Sequence, residues 1–212
     1  SRRSVDEVVD EVDRRLNSGA DVVVLEFSYE TDPEIVRRIV GAVKDRFSVP
    51  VGIDAYRISE IIAGVDAGAD IVVNVGLSSA ERIAERLRGV AVVAVPITDG
   101  GLPKSLGDRA LIAERIVQTL RSRGVEKIIV DLVLDSPLKL FASLLSYYEF
   151  KKKHPEIPLA ANVDNVVEMV DADSIGINAL LTLLTQEVGV SMLLTAERNP
   201  RSLGSTLELK AS

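Results

Sequence analysis

One stretch, Gly68-Ala69-Asp70-Ile71-Val72-Val73, shows the pattern that decides the fold: a glycine that ends a helix, followed by an apolar and mostly β-branched run. The pattern recurs at 19–24, 89–93, 124–129 and 189–194, and two further apolar runs open at proline, at 50–53 and 158–160. Apolar runs without polar alternation are typical of parallel strands that helices cover. The sequence therefore predicts seven parallel strands.

The segments between these strands predict helices, and their spacing predicts one domain. Ser4 with Glu7 forms a capping box, and Asp32-Pro33 places proline at a first helical position. Strands that alternate with helices in this way favour a barrel, because the Gly-x-Gly-x-x-Gly loop of an open doubly wound sheet is missing. A barrel of this type has eight strands, and here a helix comes first.

We therefore expect an α/β fold, a (β/α)8 TIM-type barrel that lacks its first strand. Residues 1–212 are expected to form a single barrel domain, the C-terminal part of a longer chain. The unpaired strand edges would then favour a homo-oligomer or a segment of another chain in the gap. Within the sequence, only 174–177 is left to supply an eighth strand.

The composition excludes several classes of function. The 212 residues include 47% hydrophobic and 27% charged side chains, carry a formal net charge of -7, and contain no Cys and a single His. The charge argues against nucleic acid as a partner, and the missing Cys excludes disulfides, thiolate zinc sites and Cys nucleophiles. The sequence has no run long enough for a membrane span and no signal peptide, so a cytoplasmic protein is expected.

Polar side chains end the apolar runs, at positions that a barrel would bring to one mouth. They are Glu26, Asp54, Asn74, Asp131, Asn162, Asp164 and Asn165. Each one alone is better explained as a helix cap or a satisfied buried polar group. Several together suit the edge of a flat heterocycle such as a pterin or a purine, because a carboxylate accepts two N–H bonds and an amide both donates and accepts.

Two motifs resemble the pterin-binding barrel superfamily, which includes dihydropteroate synthase and methyltetrahydrofolate corrinoid methyltransferases. They are Val49-Pro50-Val51-Gly52-Ile53-Asp54-Ala55-Tyr56 and Ala67-Gly68-Ala69-Asp70-Ile71-Val72-Val73-Asn74-Val75. The likeness is strongest to archaeal relatives of the synthase. It implies a transferase of folate or methanopterin metabolism that holds a reduced pterin, as substrate or ligand, at Asp54, Asn74 and Asp131. Mg²⁺ would depend on an Asn of the family's first strand, which would precede Ser1.

The chain also departs from the synthase pattern, which leaves three functions open. Asn162-Val163-Asp164-Asn165 stands in place of a Ser-Arg-Lys-Ser run, and Leu194-Thr195-Ala196 in place of Arg-x-His. The first alternative is methyl transfer from a methylated pterin to a corrinoid protein, because Asn165 and Ile177-Asn178-Ala179-Leu180 resemble the methyltransferase branch. The second is a non-catalytic barrel that binds a ligand or serves as a scaffold.

The remaining candidates are weighed against structural roles. Three cations are candidate contacts for an anionic substrate group, with solvated surface as the alternative: Lys104, Arg198 and Arg201. The acidic residues Asp164, Asp171 and Asp173 are interpreted as caps, so no metal site is predicted within the chain. Phe141, Tyr147 and Tyr148 are expected to pack a helix on the barrel.

Overall fold

The computed structural model describes residues 4–135, 137–171, 174–198, 200 and 202–212. Strands and helices alternate along the chain. The strands are β1 (Val23–Glu26), β2 (Val51–Asp54), β3 (Ile71–Val75), β4 (Ala91–Ala94), β5 (Ile128–Val130), β6 (Leu159–Asn162) and β7 (Val190–Leu194). The helices are α1 (Val5–Asn17), α2 (Pro33–Arg46), α3 (Ile58–Asp66), α4 (Leu77–Ile83), α5 (Leu106–Ser122), α6 (Leu140–Lys153), α7 (Asp164–Val167), α8 (Ser174–Glu187) and α9 (Ser205–Ala211).

The seven predicted strands form one parallel sheet in chain order, from β1 to β7. The glycines that precede five of them, at 19, 68, 89, 124 and 189, all have positive φ, between 85° and 97°, as expected for residues that end helices. Segment 174–177 lies in α8, so it does not provide an eighth strand. The structure confirms the seven parallel strands and the helix-ending glycines that the sequence predicts.

The sheet is curled, with a large apolar core outside it and a small one inside. The outer core joins strands to helices through fully buried side chains such as Val36, Val40 and Leu120. The inner core includes Ile71, Val73 and Val93. Because successive strand residues point to opposite faces, the inner residues also mark which positions face the inside of the curl.

A gap separates the first and last strands. β1 and β7 do not pair with each other, and a cavity of about 1520 Å³ lies between them, lined also by residues of α1, α8 and α9. β6 is almost wholly buried, whereas four of the five residues of β7 are partly or fully exposed. Arg15 is bonded to Glu197 across this region, and Lys210 Nζ lies 2.6 Å from an oxygen of Asp21. The curled sheet is thus an open barrel, with its opening between β1 and β7.

Helix α6 only partly matches its prediction. Tyr147 is fully buried against the sheet, as expected, but Phe141 is 81% and Tyr148 46% exposed. The latter two were wrongly predicted to pack on the barrel. None of the helices in the described part of the chain combines the length and apolar character that a membrane crossing requires.

Candidate functional site

The polar residues that end the strands lie at one end of the sheet, called the mouth below. Glu26 and Asp54 are paired in register as the last residues of β1 and β2. Asn162 ends β6, and Asp131 follows β5, with its N–H bonded to the carbonyl of Ala94 at 3.0 Å. Parallel strands direct all these positions toward the same end.

Asn74 reaches the mouth through an irregularity in β3. Strand alternation would place Asn74 on the outer face with Val72, a residue of the outer core. Instead its φ is 59°, and the pairing of β3 with β4 shifts register between Val72 and Val75. This left-handed residue and the bulge redirect the side chain, so that its Nδ2 donates to Asp54 Oδ2 at 2.6 Å.

The carboxylates that end β1 and β2, Glu26 and Asp54, are influenced by burial and by the positive charge of Arg198. Burial raises the pKa of the Asp54 carboxyl, and the hydrogen bond from Asn74 and the charge of Arg198 offset part of that rise. Arg198 also forms an ion pair with Glu26, and its side chain is 60% exposed. Arg198 therefore lies beside the carboxylates of the mouth, with Glu26 as its partner.

Asp131 is the most buried carboxylate of the site, at 5% exposure. Its Oδ1 accepts hydrogen bonds from the hydroxyl of Tyr147 on α6 and from the backbone N–H of Val133 at 2.7 Å. Burial raises the pKa of Asp131 to about 6, although Tyr147 and the N–H groups of Val133 and Asn162 stabilise its charged form. The protein thus holds a carboxyl that is costly to ionise at the mouth.

The loop after Asp131 is strained. Val133 has φ 69°, a conformation that is costly for a β-branched residue. The buried guanidinium of Arg109 holds this loop: its NH1 donates to the Val133 carbonyl at 3.2 Å and its NH2 to Asp135 Oδ1 at 2.9 Å. Such strain persists only where surrounding contacts impose it, and it is common at binding sites.

The β6 end of the mouth is held by one local hydrogen bond and by hydrogen bonds to the end of β7. Asn162 Oδ1 accepts the N–H of Asp164 at 3.1 Å. The buried Asp164 in turn accepts from the Thr195 hydroxyl at 2.8 Å and from the N–H of Ala196, and burial raises its pKa. Asp164 thus joins the ends of β6 and β7, while Asn165, half-buried on α7, follows it.

The other cation and metal candidates contribute less to the site. Lys104 is exposed on the loop after β4. Arg201 and Asp173 lie outside the described residues. Within the described part of the chain, no group of three His, Cys, Asp or Glu side chains is placed to hold a metal ion. The carboxylates of Glu26 and Asp54 are bound by Arg198 and Asn74, so these two carboxylates do not form a Mg²⁺ site by themselves.

Sequence reasoning missed an aromatic cluster at the mouth. Tyr29 and Tyr56, on the loops after β1 and β2, are 66% and 64% exposed, and their rings meet edge to face at 6.1 Å. The guanidinium of Arg57 lies 4.9 Å from the Tyr29 ring centre and 2.5 Å from Glu30. The available signal was a tyrosine two or three residues after a strand-ending carboxylate, in both loops.

Asn178, part of the motif that resembles the methyltransferases, has a structural role. It is fully buried on α8. Its Nδ2 donates to Ser205 Oγ at 3.0 Å and to Glu208 Oε2 at 2.6 Å, which fastens α9 to α8. The geometry of this motif therefore gives no support to methyl transfer.

Comparison with known proteins supports the fold. No family model matches the chain. An uncharacterised protein of Methanocaldococcus jannaschii is 29% identical over 204 residues, which are 92% of this chain, but this chain spans only 39% of that relative's length.

Among solved structures, the chain is similar to dihydropteroate synthases. That of Xanthomonas albilineans, in complex with indole-2-carboxylic acid and 6-chloroguanine, superposes with a TM-score of 0.77 at 16% identity, over 98% of this chain and 83% of that one. That of Yersinia pestis, in a sulfonamide drug complex, gives 0.74 at 15% identity, over 98% and 84%. The chain therefore has a dihydropteroate-synthase-like fold.

Proposed function

We propose that this chain is the pterin-binding part of a dihydropteroate-synthase-like protein, with the pterin ring held at the mouth by Asp54, Asn74 and Asp131. The observation that carries the proposal is the bonded pair of Asp54 and Asn74, which the left-handed backbone of Asn74 creates. With Oδ2 engaged by Asn74, Asp54 Oδ1 is the oxygen that accepts a ring N–H. Asn74 retains one N–H and its carbonyl oxygen for the ring's acceptors and donors.

The neighbouring groups suit the same ligand. Asp131 adds a second carboxylate for the N–H groups along the pterin edge, and Asn162 and Asn165 add amides beside it. Tyr29 and Tyr56 offer exposed aromatic faces on which a flat heterocycle stacks. Glu26 enters the site through its ion pair with Arg198.

For the reaction, we propose a pterin-dependent transfer of the dihydropteroate synthase kind, in folate or methanopterin biosynthesis. Arg198 is the candidate contact for an anionic leaving group. Its ion pair with Glu26 is largely exposed, and such pairs are worth at most about 1 kcal/mol, so a substrate anion can replace Glu26 as its partner. Lys104, exposed on the β4–α5 loop, is the second candidate.

The test of the site is an anaerobic fluorescence titration with 6-hydroxymethyl-7,8-dihydropterin. Asp54→Asn should weaken binding at least about tenfold, because a charged acceptor is lost and Nδ2 donors then oppose ring donors. The matched control is Asp66→Asn at the end of α3, where the carboxylate pairs with Arg86. Equal affinity of wild type and Asp54→Asn would contradict the site, and absence of binding by the wild type would contradict the function.

We further propose that residues 1–212 are the C-terminal part of a longer chain, and that a parallel strand from its upstream part fills the gap between β1 and β7. Within the described ranges, the outer edges of β1 and β7 flank the cavity without a strand partner, and a strand between them would satisfy the backbone groups of both. Hydrogen exchange tests this proposal: the amides of Val24 and Leu193, whose N–H groups face the gap, should be better protected in the native polypeptide than in residues 1–212. Equal protection, or a gap filled by a second copy in a homodimer, would contradict it.

A further inference from the structure

We infer that Tyr147 is a positioning residue that fixes the carboxylate of Asp131, so that only Oδ2 is presented to a ligand. The inference rests on the proposed function in taking Asp131 as a pterin contact. Tyr147 belongs to α6, outside the sheet, and its side chain is fully buried. It therefore acts on a ligand only through Asp131.

The geometry assigns the two oxygens of Asp131 different roles. An ionised carboxylate has about four acceptor positions, two on each oxygen. The Tyr147 hydroxyl and the Val133 N–H both donate to Oδ1, so both positions on that oxygen are used. The N–H of Asn162 provides one further interaction. At least one position on Oδ2 is left for a ligand N–H.

The second support of this arrangement is the strained loop at Val133. Its positive φ turns the N–H toward Asp131 Oδ1, and Arg109 binds the carbonyl of the same residue. Arg109 Nε also donates to the carbonyl oxygen of Pro103 at 2.8 Å. The carboxylate is thus fixed from α6 by a hydroxyl and from its own loop by an amide that Arg109 stabilises.

The titratable groups around Asp131 belong to several elements. Tyr147 approaches from α6, and Arg109 of α5, with its partner Asp135, binds the carbonyl of Val133, whose N–H donates to Asp131. Of these, Tyr147 bonds Asp131 directly and lowers its pKa, against the larger effect of burial. Tyr147→Phe keeps the buried ring and removes only this donor. The substitution should therefore raise the pKa of Asp131 further.

The experiment is a ¹³C NMR titration of Asp131, with its carboxyl signal assigned from Asp131→Asn. Wild type, Tyr147→Phe and the control Tyr148→Phe are compared without ligand. Tyr148 is the adjacent ring on the same helix and is 46% exposed. We expect an upward shift of about one pKa unit in Tyr147→Phe and none in Tyr148→Phe. Equal titration of Asp131 in all three proteins overturns the inference, because a purely packing role of Tyr147 would not move it.

Pterin binding is then measured in the same three proteins as a function of pH. Tyr147→Phe should bind about tenfold more weakly at neutral pH, and the pH at which binding is half lost should rise together with the pKa of Asp131. Unchanged affinity and midpoint would overturn the positioning role even if the carboxyl titration moves. If the wild type binds no pterin but the carboxyl titration moves, the proposed function fails while the link from Tyr147 to Asp131 stands.

Discussion

The stability of Asp131→Asn relative to the wild type should increase as the pH rises. The same substitution should weaken pterin binding. The carboxyl is buried, and its pKa is raised from 3.8 to about 6. Each pKa unit corresponds to about 1.4 kcal/mol, so ionising Asp131 in the folded state lowers the free energy of unfolding by about 3 kcal/mol. An amide of the same shape does not ionise and escapes this cost.

The sign follows from the raised pKa. Because the folded state holds the proton more tightly than the unfolded chain, the stability from protonated Asp131 is fully present below about pH 4 and is lost as the pH rises through about 6. Asp131→Asn removes this loss. The amide also changes the free energy of unfolding by an amount that does not depend on pH, since its Nδ2 donates where the carboxylate accepted. The test is therefore how the difference between the two proteins changes with pH, and not its absolute value.

The assay is urea unfolding followed by far-UV circular dichroism, for wild type and Asp131→Asn, from about pH 4 to about pH 8. The difference in free energy of unfolding between the two proteins should change by about 2 to 3 kcal/mol in favour of the variant, mostly between pH 4 and 6. Groups common to both proteins cancel. A difference that does not change with pH, or that changes in favour of the wild type, would refute the claim that burial makes ionised Asp131 costly in the folded state.

Three further predictions concern the mouth and the C-terminal helix. Asn74→Gly and Asn74→Ala should both lose pterin binding in a titration. In urea unfolding, only the alanine variant, which is strained at φ 59°, should also have a free energy of unfolding lower by about 1 to 2 kcal/mol. Arg198→Gln should raise the pKa of Asp54, moving the midpoint of pterin binding to higher pH in a pH titration, while stability changes by less than about 1 kcal/mol. Asn178→Ala should cost about 1 to 3 kcal/mol, because Glu208 loses a buried donor, and should leave pterin affinity unchanged.

The strands could be predicted because their signal is local. A glycine such as Gly68 must adopt positive φ to end a helix, and the β-branched run after it suits a strand covered by helices. The end of each strand then follows from the first polar residue. This logic located Asp54 and Asn162 at the mouth without knowledge of any contact.

The details of the site could not be predicted because they depend on contacts between distant residues. Alternation alone would have placed Asn74 outside the sheet, and the bulge that turns it inward depends on the pairing with β4. Tyr147 has the spacing of an ordinary packing residue, and nothing local shows that its hydroxyl meets Asp131, 16 residues earlier. Asn178 shows the opposite case. Its motif suggested a functional role, but its side-chain contacts hold α9 to α8.

Two of the three residues that the resemblance singled out, Asn74 and Asp131, are also where the chain departs from what its own stability favours, together with Val133 in the loop after Asp131. Asn74 takes a left-handed backbone, Asp131 keeps a carboxylate out of water, and Val133 is strained so that its N–H can reach that carboxylate. A scaffold selected for stability alone would carry an apolar residue or an amide at Asp131 and a glycine at Val133. Since local rules are broken mainly where function requires it, the clustering of these departures at one end of the sheet supports a binding role independently of the resemblance.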